Sequence, residues 1–285
     1  HESFSTYGKH TDIHSRVIFG GVSQHPQVEA MKQGTDVLVA TPGRLIDLIN
    51  QGIVDLSHLK ILILDEADQM LDMGFIRDIR KIIAKTPASR QTLLFSATLP
   101  KEIEDMIKTI LKNPIKIEVT PASSTVAKIE HYLIYAEKDQ KVDILIKRLK
   151  NKSMDSVLVF TRTKHGADKL VRKLTKAKIS ALAIHGDKSQ GARQLALEQF
   201  KNKKTRVLIA TDIAARGIDI DNLPCVINFD LPAVPETYIH RIGRTGRSGS
   251  KGLALSLCST EEAKQLKDIE KLLGKKIPEF TEETN

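Results

Sequence analysis

No tryptophan occurs among the 285 residues, aromatic side chains make up only 4% of them, and there are just two cysteines. Cys225 and Cys258 lie in apolar, strand-like contexts without Cys-x-x-Cys spacing, which argues against a disulfide framework and against a cysteine zinc site. No apolar run approaches the ~18 residues that span a bilayer, and no basic segment leads into an apolar one at the N-terminus. We therefore expect a soluble, cytoplasmic chain with two buried thiols. Two phosphate-binding patterns are also missing. G-x-x-x-x-G-K-[ST] has no match, because Gly8-Lys9 is followed by His10 and Gly274-Lys275 by Lys276. Gly243, Gly246 and Gly249 are spaced G-x-x-G-x-x-G, which is not the dinucleotide fingerprint.

What is present is a globular composition, 41% hydrophobic and 28% charged, in a chain long enough for two domains with cores of their own. The net charge of +9 is unevenly spread. Residues 1–119 carry 14 Lys and Arg against 15 Asp and Glu, whereas residues 120–285 carry 30 against 20. A half-chain this basic is a plausible footprint for a polyanion, although any single lysine, such as Lys201, Lys203 or Lys204, is as well explained by a solvated helix face.

Short β-branched and Leu-rich runs alternate with amphipathic segments, which predicts parallel sheets with crossover helices. In the first half the pattern places strands near Arg16–Phe19, Asp36–Ala40, Lys60–Leu64, Gln91–Ser96 and Ile115–Val119, and a helix whose Ile103, Met106, Ile107 and Ile110 share one face. Residues 120–128, with Pro121 and small polar side chains, read as a flexible linker. The second half predicts strands near Ile129–Tyr135, Ser156–Thr161, Ala181–Ile184, Arg206–Ala210, Cys225–Phe229 and Gly252–Leu257. Helices are expected through Gln140–Leu149, Gly166–Ala177, Ser189–Phe200, Pro235–Arg241 and Glu261–Leu273. The polar tail, residues 276–285, is expected to fray.

Three clusters carry the chemistry. Asp65, Glu66 and Asp68 follow the apolar run Ile61 to Leu64, so carboxylates leave the carboxyl end of a buried strand, where a Mg²⁺-nucleotide would use them. Left unpaired beside four apolar residues, such groups are expensive to bury without a metal or a donor. Ser96 and Thr98 place hydroxyls at the end of the next strand; alone, this is as well read as helix capping. His240, Arg241, Arg244 and Arg247, punctuated by Gly243 and Gly246, put guanidinium groups on a turn suited to a polyphosphate.

Together these residues resemble the DEAD-box RNA helicase family, in the family's order. Gly20-Gly21 and Thr41-Pro42-Gly43-Arg44 look like its first-domain RNA-backbone motifs. Val159 to Thr163, Gln190 to Arg193 and Thr211 to Asp219 look like its second-domain signatures. Asp72-Met73-Gly74-Phe75 further suggests the bacterial RhlE-like branch. The family's adenine-reading motif, Walker A loop and first RNA motif have no counterpart before Gly20. With a chain that starts at His1, this leads us to expect that they lie upstream and that the first sheet is opened by the loss of a strand.

The resemblance implies two RecA-like α/β parallel-sheet domains, an incomplete first over 1–119 and a second over 129–275. It implies ATP and Mg²⁺ as cofactors and RNA as a partner gripped through its phosphates. Asp65 would reach Mg²⁺ through a water, Glu66 would polarise the attacking water, and Asp219 would meet the ribose. Arg244 and Arg247 would reach the γ-phosphate as the cleft closes. Asp68, Ser96, Thr98 and His240 would couple the ATP and RNA sites. Gly20, Gly21, Thr41, Gly43, Arg44, Arg162, Arg193 and Thr211 would hold RNA, bending one strand to open the local duplex. An RNA-binding or scaffold protein without ATPase activity is the alternative from another class.

Overall fold

A computed structural model describes residues 1–118, 129–151, 154–215, 220, 222–246 and 252–281. The chain divides into two compact units, His1–Lys116 and Ile117–Asn285. The segment read as a linker, 120–128, lies outside the described residues.

In the first unit every ladder is parallel. Strand β1 (Ser15–Ile18) pairs with β2 (Val37–Ala40), Ser15 opposite Val37, and β3 (Ile61–Leu64) pairs with β4 (Gln91–Leu94), Ile61 opposite Gln91. Six helices accompany them: α1 (Glu2–Tyr7), α2 (His25–Lys32), α3 (Pro42–Asn50), α4 (Ala67–Asp72), α5 (Ile76–Ile83) and α6 (Lys101–Ile110). The helical face read from the sequence packs inward, Ile103, Met106 and Ile110 closing on Leu64, Ala67 and Ile79. A separate cluster of Ile18, Leu48 and Val54 joins β1 to α3. Among the described residues β2 and β4 each have one neighbouring strand. Alternation along β3 leaves Ile61 and Ile63 about half exposed, 52% and 51%.

The strand expected at Ile115–Val119 is not found. Among the described residues, 115–118 form no ladder, and Ile115 and Ile117 are exposed.

The second unit is one six-stranded parallel sheet in the order β5-β10-β9-β6-β8-β7. Its strands are β5 (Ile129–Tyr135), β6 (Val157–Phe160), β7 (Ala181–Ile184), β8 (Val207–Ala210), β9 (Cys225–Asn228) and β10 (Gly252–Cys258), and its helices α7 (Lys141–Leu149), α8 (Lys164–Lys176), α9 (Gln190–Lys201), α10 (Asp212–Ala215), α11 (Pro235–Ile242) and α12 (Ala263–Leu273). The central strands are buried on both faces, as parallel strands between two helical layers must be. Val157, Val159, Val207, Ile209 and Ile227 face Leu145, Leu170 and Leu174. Leu158, Phe160, Leu208 and Val226 face Ala196, Phe200 and Ala214 on the other side.

Local chemistry sets the helix ends. Thr163 Oγ1 accepts the Gly166 N–H at 3.0 Å and so starts α8 two residues before the expected Gly166, and Gly274 ends α12 at φ 67°. The tail departs from expectation. Ile277 is buried, Leu133 N–H donates to Pro278 O and Phe280 N–H to Leu133 O, both at 2.8 Å, so residues 277–280 add to the edge of β5. Apolar Ile277 and Phe280 in an otherwise polar tail supply the anchoring surface.

Candidate functional site

Parallel strands deliver their loops to one edge, and most of the described residues singled out from the sequence follow carboxyl strand ends, whereas Arg193, His240 and Arg244 lie on or just after helices. After β3, Asp65 and Glu66 are exposed while Asp68 is buried. Asp68 Oδ2 accepts the Thr98 N–H at 3.0 Å and the Thr98 hydroxyl at 2.9 Å. The Asp68 N–H donates to Ser96 Oγ at 3.2 Å, and that hydroxyl donates to Thr98 O at 2.6 Å. One acidic side chain thus ties the ends of β3 and β4 together, and the lone-pair capacity of a buried carboxylate is met by neutral donors.

Glu66 adopts φ 51°, ψ 47°, a left-handed conformation that a non-glycine residue rarely holds. The turn is held by Ala67 N–H donating to Phe95 O at 3.0 Å and by the helical bond from Met70 N–H to Glu66 O, also 3.0 Å. Strain of this order, roughly 1–3 kcal/mol, persists where the surroundings over-determine it, characteristically at functional sites. Asp65 Oδ1 accepts the Glu66 N–H at 2.9 Å. An exposed carboxylate at a strand end is a hard-oxygen donor that fits Mg²⁺, directly or through water.

At the ends of β1 and β2, Gly20, Gly21, Thr41 and Gly43 are exposed, and Gly21 takes φ 80°, which a side chain would oppose. Arg44 behaves differently. Its side chain is only 14% exposed, Nη2 donates to Val22 O at 3.0 Å, and Nε lies 3.9 Å from Asp47 Oδ2. The guanidinium therefore clamps the Gly20-Gly21 loop to the Thr41 loop.

In the second unit the strand order changes direction between β6 and β9, the position where open α/β sheets form a crevice. Charged side chains line it here. Arg162 N–H donates to Asp230 Oδ2 at 2.8 Å, and Arg162 Nη2 to Glu262 Oε1 at 2.8 Å. The buried Lys141 ammonium donates to Phe229 O at 2.8 Å, to Leu257 O at 3.0 Å and to Glu262 Oε2. Burial would raise the Glu262 carboxyl, yet the Lys141 ammonium and the Ser259 and Leu231 N–H groups hold it below its usual range.

Arg193, on α9, lies within 3.5 Å of Ala214 O, while Thr211 O accepts the Ala214 and Ala215 N–H groups, so these two residues meet at α10. Half-buried His240 and Arg244 flank the end of α11. Arg241, between them, was read with the arginines of a polyphosphate-binding turn, but the structure turns it inward, a role that sequence reasoning missed. It is buried, its Nε and Nη2 grip Asp212 at 2.6 and 2.8 Å, Nη1 reaches Asn228 and Asp230 O, and its plane lies over Phe160. Its signal was a positive charge beside buried Ile242 on an amphipathic helix, which requires a carboxylate from elsewhere. Glu262 was missed as well, though Ser259-x-x-Glu262 has the spacing of a capping box. Asp219 and Arg247 lie outside the described residues.

The carboxyl-end geometry can be set beside known proteins. Residues 1–106 match the DEAD/DEAH box helicase family and residues 140–249 the helicase conserved C-terminal domain. The chain is 41% identical over 271 residues to an ATP-dependent RNA helicase CshA of Limosilactobacillus reuteri, covering 95% of this chain and 54% of that protein. It is 43% identical over 279 residues to an ATP-dependent RNA helicase DBP2 of Chaetomium thermophilum, covering 95% and 50%. The chain thus spans about half the length of the curated relatives it matches. Among solved structures, S. cerevisiae Dbp5 bound to RNA and ADP BeF3 is 32% identical over 97% of this chain and 73% of that one, with a TM-score of 0.84. A DEAD box protein from the hyperthermophile Methanococcus jannaschii is 41% identical over 95% and 73%, with a TM-score of 0.54. With the acidic cluster, the hydroxyl pair and the arginine turn each at a strand or helix end, and with these matches across both units, the chain belongs to the DEAD-box RNA helicase family.

Proposed function

We propose that this chain supplies the hydrolytic and RNA-gripping residues of an ATP-dependent RNA helicase that opens short duplexes locally. The observation that carries the reading is the Asp68–Ser96–Thr98 lock beside exposed Asp65 and strained Glu66. It makes the acidic loop and the hydroxyl loop one unit, so a change at either is felt by the other. Asp65 would hold Mg²⁺, which neutralises phosphate charge when bound. Glu66 would orient and deprotonate the attacking water, and Arg244 and Arg247 would stabilise the charge of the transferred phosphoryl group, with Asp219 at the ribose. His240 would join the coupling set.

RNA would be held through phosphates by the N–H groups and side chains at Gly20, Gly21, Thr41, Gly43, Arg162 and Thr211. Arg44 and Arg193, both turned inward, would shape the loops that touch it. A phosphate reaching Arg162 would share its guanidinium with Glu262. Affinity should then be steeply salt-dependent and nearly blind to sequence. The RhlE-like branch rests on Asp72 to Phe75 alone.

The test is made in the full-length protein that encodes these residues, since G-x-x-x-x-G-K-[ST] is not among them. Glu66→Gln is expected to keep ATP binding while lowering RNA-stimulated turnover by about 10² or more. Turnover at the parental rate would remove Glu66 from the chemistry. A parent that binds RNA but never hydrolyses ATP would favour the scaffold reading.

A further inference from the structure

We propose that the exposed face of α8 is a docking strip for the phosphate backbone of duplex RNA flanking the strand held by the strand-end loops. This rests on the RNA reading above. Lys169, Arg172, Lys173 and Lys176 are all exposed. At 100° per residue they fall within about 100° of arc, and from first to last they rise roughly 10 Å along the helix. Four cations therefore form a short straight row.

Among the described residues no carboxylate compensates their charge. Asp168 is the one acidic residue of α8, and it is engaged elsewhere, 3.1 Å from His185 Nε2 and 3.0 Å from Lys188 Nζ. Lys164, at the start of the helix, is paired with Asp187 at 2.8 Å. Among the described residues no carboxylate lies within ion-pair distance of Lys169, Arg172, Lys173 or Lys176. Repulsion in such a row costs stability unless solvent or a polyanion screens it.

The face also has no apolar anchor. Leu170 and Leu174 are buried beneath it against the sheet, and Thr175 is the uncharged exposed residue between the cations. Protein interfaces need an apolar, desolvated centre, whereas a phosphate backbone is met by charge alone. This difference selects nucleic acid over an acidic protein. Position sets the reach: α8 begins directly after Arg162 and Thr163, the loop assigned to RNA, and the row starts about 8 Å along the helix and runs away from that loop, so it would meet duplex beyond the strand held there. A duplex presents about one charge per 1.7 Å of axis, so a row of this length faces several phosphates at once.

The experiment uses full-length protein with Lys169, Arg172, Lys173 and Lys176 changed to Glu, and a second variant with all four changed to Gln, both checked for parental thermal unfolding. Affinity is measured against a short RNA duplex carrying a single-stranded overhang, against the overhang alone and against polyglutamate. The Gln variant is expected to bind the overhang duplex about tenfold more weakly, and the slope of log affinity against log salt is expected to fall by roughly 2–3, near 0.9 per lost contact. Binding of the overhang alone should stay within about twofold. The Glu variant should show a larger loss on the duplex only. Unchanged duplex binding in both variants would overturn the proposal and make the row a solvated face. Equal losses on both RNAs would overturn the duplex assignment while leaving the RNA reading intact. A parent that binds neither RNA would overturn the RNA reading itself. Loss of polyglutamate binding with duplex affinity retained would overturn the proposal in favour of an acidic protein partner.

Discussion

Glu262 Oε1 accepts a hydrogen bond from Arg162 Nη2 at 2.8 Å, while its other oxygen takes the buried ammonium of Lys141. Two residues a hundred positions apart are thereby fixed at the crevice between β6 and β9, and the Leu231 N–H donates to the same carboxylate at 3.0 Å. Charge pairs line this position, and the Arg162 guanidinium among them stays half exposed. The cost and the benefit of these pairs are both electrostatic.

Removing one partner should therefore be worse than removing both. Glu262→Gln leaves the buried Lys141 ammonium with only the more distant Asp230 carboxylate, 3.9 Å away, and is expected to destabilise the second unit by about 3 kcal/mol. Adding Lys141→Met should recover a large part of this. Urea unfolding of single and double variants measures it, and additive losses would show that the pair is not coupled.

The same carboxylate sets an acid limit. Its folded pKa lies below the usual value, so its stabilisation is present above the unfolded pKa of about 4.3 and is lost as pH falls through the folded value. Denaturant midpoints should fall in that window in the parent and much less steeply in Glu262→Gln.

His131 acts at higher pH. It is buried on β5, its Nδ1 3.1 Å from the Tyr238 hydroxyl, and burial first and the Lys275 charge second hold its pKa below the usual value. Above about pH 6.5 both folded and unfolded forms are neutral and nothing is lost. As pH drops below that, the unfolded chain takes a proton that the folded one refuses, so stability declines. His131→Phe should flatten this part of the profile; an unchanged slope would assign it to another group.

Arg241 should tolerate no conservative replacement. Arg241→Lys cannot reproduce the two-pronged grip on Asp212 or the stacking on Phe160, and is expected to cost nearly as much as Arg241→Ala, about 3–5 kcal/mol. Thermal unfolding decides this, a fully stable lysine variant being the contrary result.

Both thiols should be inert while the chain is folded. Burial pushes Cys225 up to about 12, and Cys258, raised by burial and by the Glu262 charge, to about 11. Alkylation at neutral pH is expected to proceed only as fast as unfolding. Rapid labelling of native protein would contradict the packing around β9 and β10.

What could be read in the chain alone was whatever is contiguous in it. Apolar runs such as Val157 to Phe160 and Val207 to Ala210 mark parallel strands because both faces must be buried, and motifs at strand ends follow within a few residues. The two buried thiols, the α6 face and the positions of Asp65, Glu66, Ser96 and Thr98 belong to this class. Tertiary structure decided what each polar side chain meets. Arg44 looked like a phosphate contact and holds Val22 O; Arg241 was read with the polyphosphate-binding arginines and is buried on Asp212. Ile115 and Ile117 have strand-forming side chains yet join no ladder among the described residues, whereas the polar tail found the open edge of β5. The reason is common to all four. Propensity and periodicity are properties of a few neighbouring residues, while a hydrogen-bond or ladder partner is supplied by whichever distant segment the sheet order brings alongside.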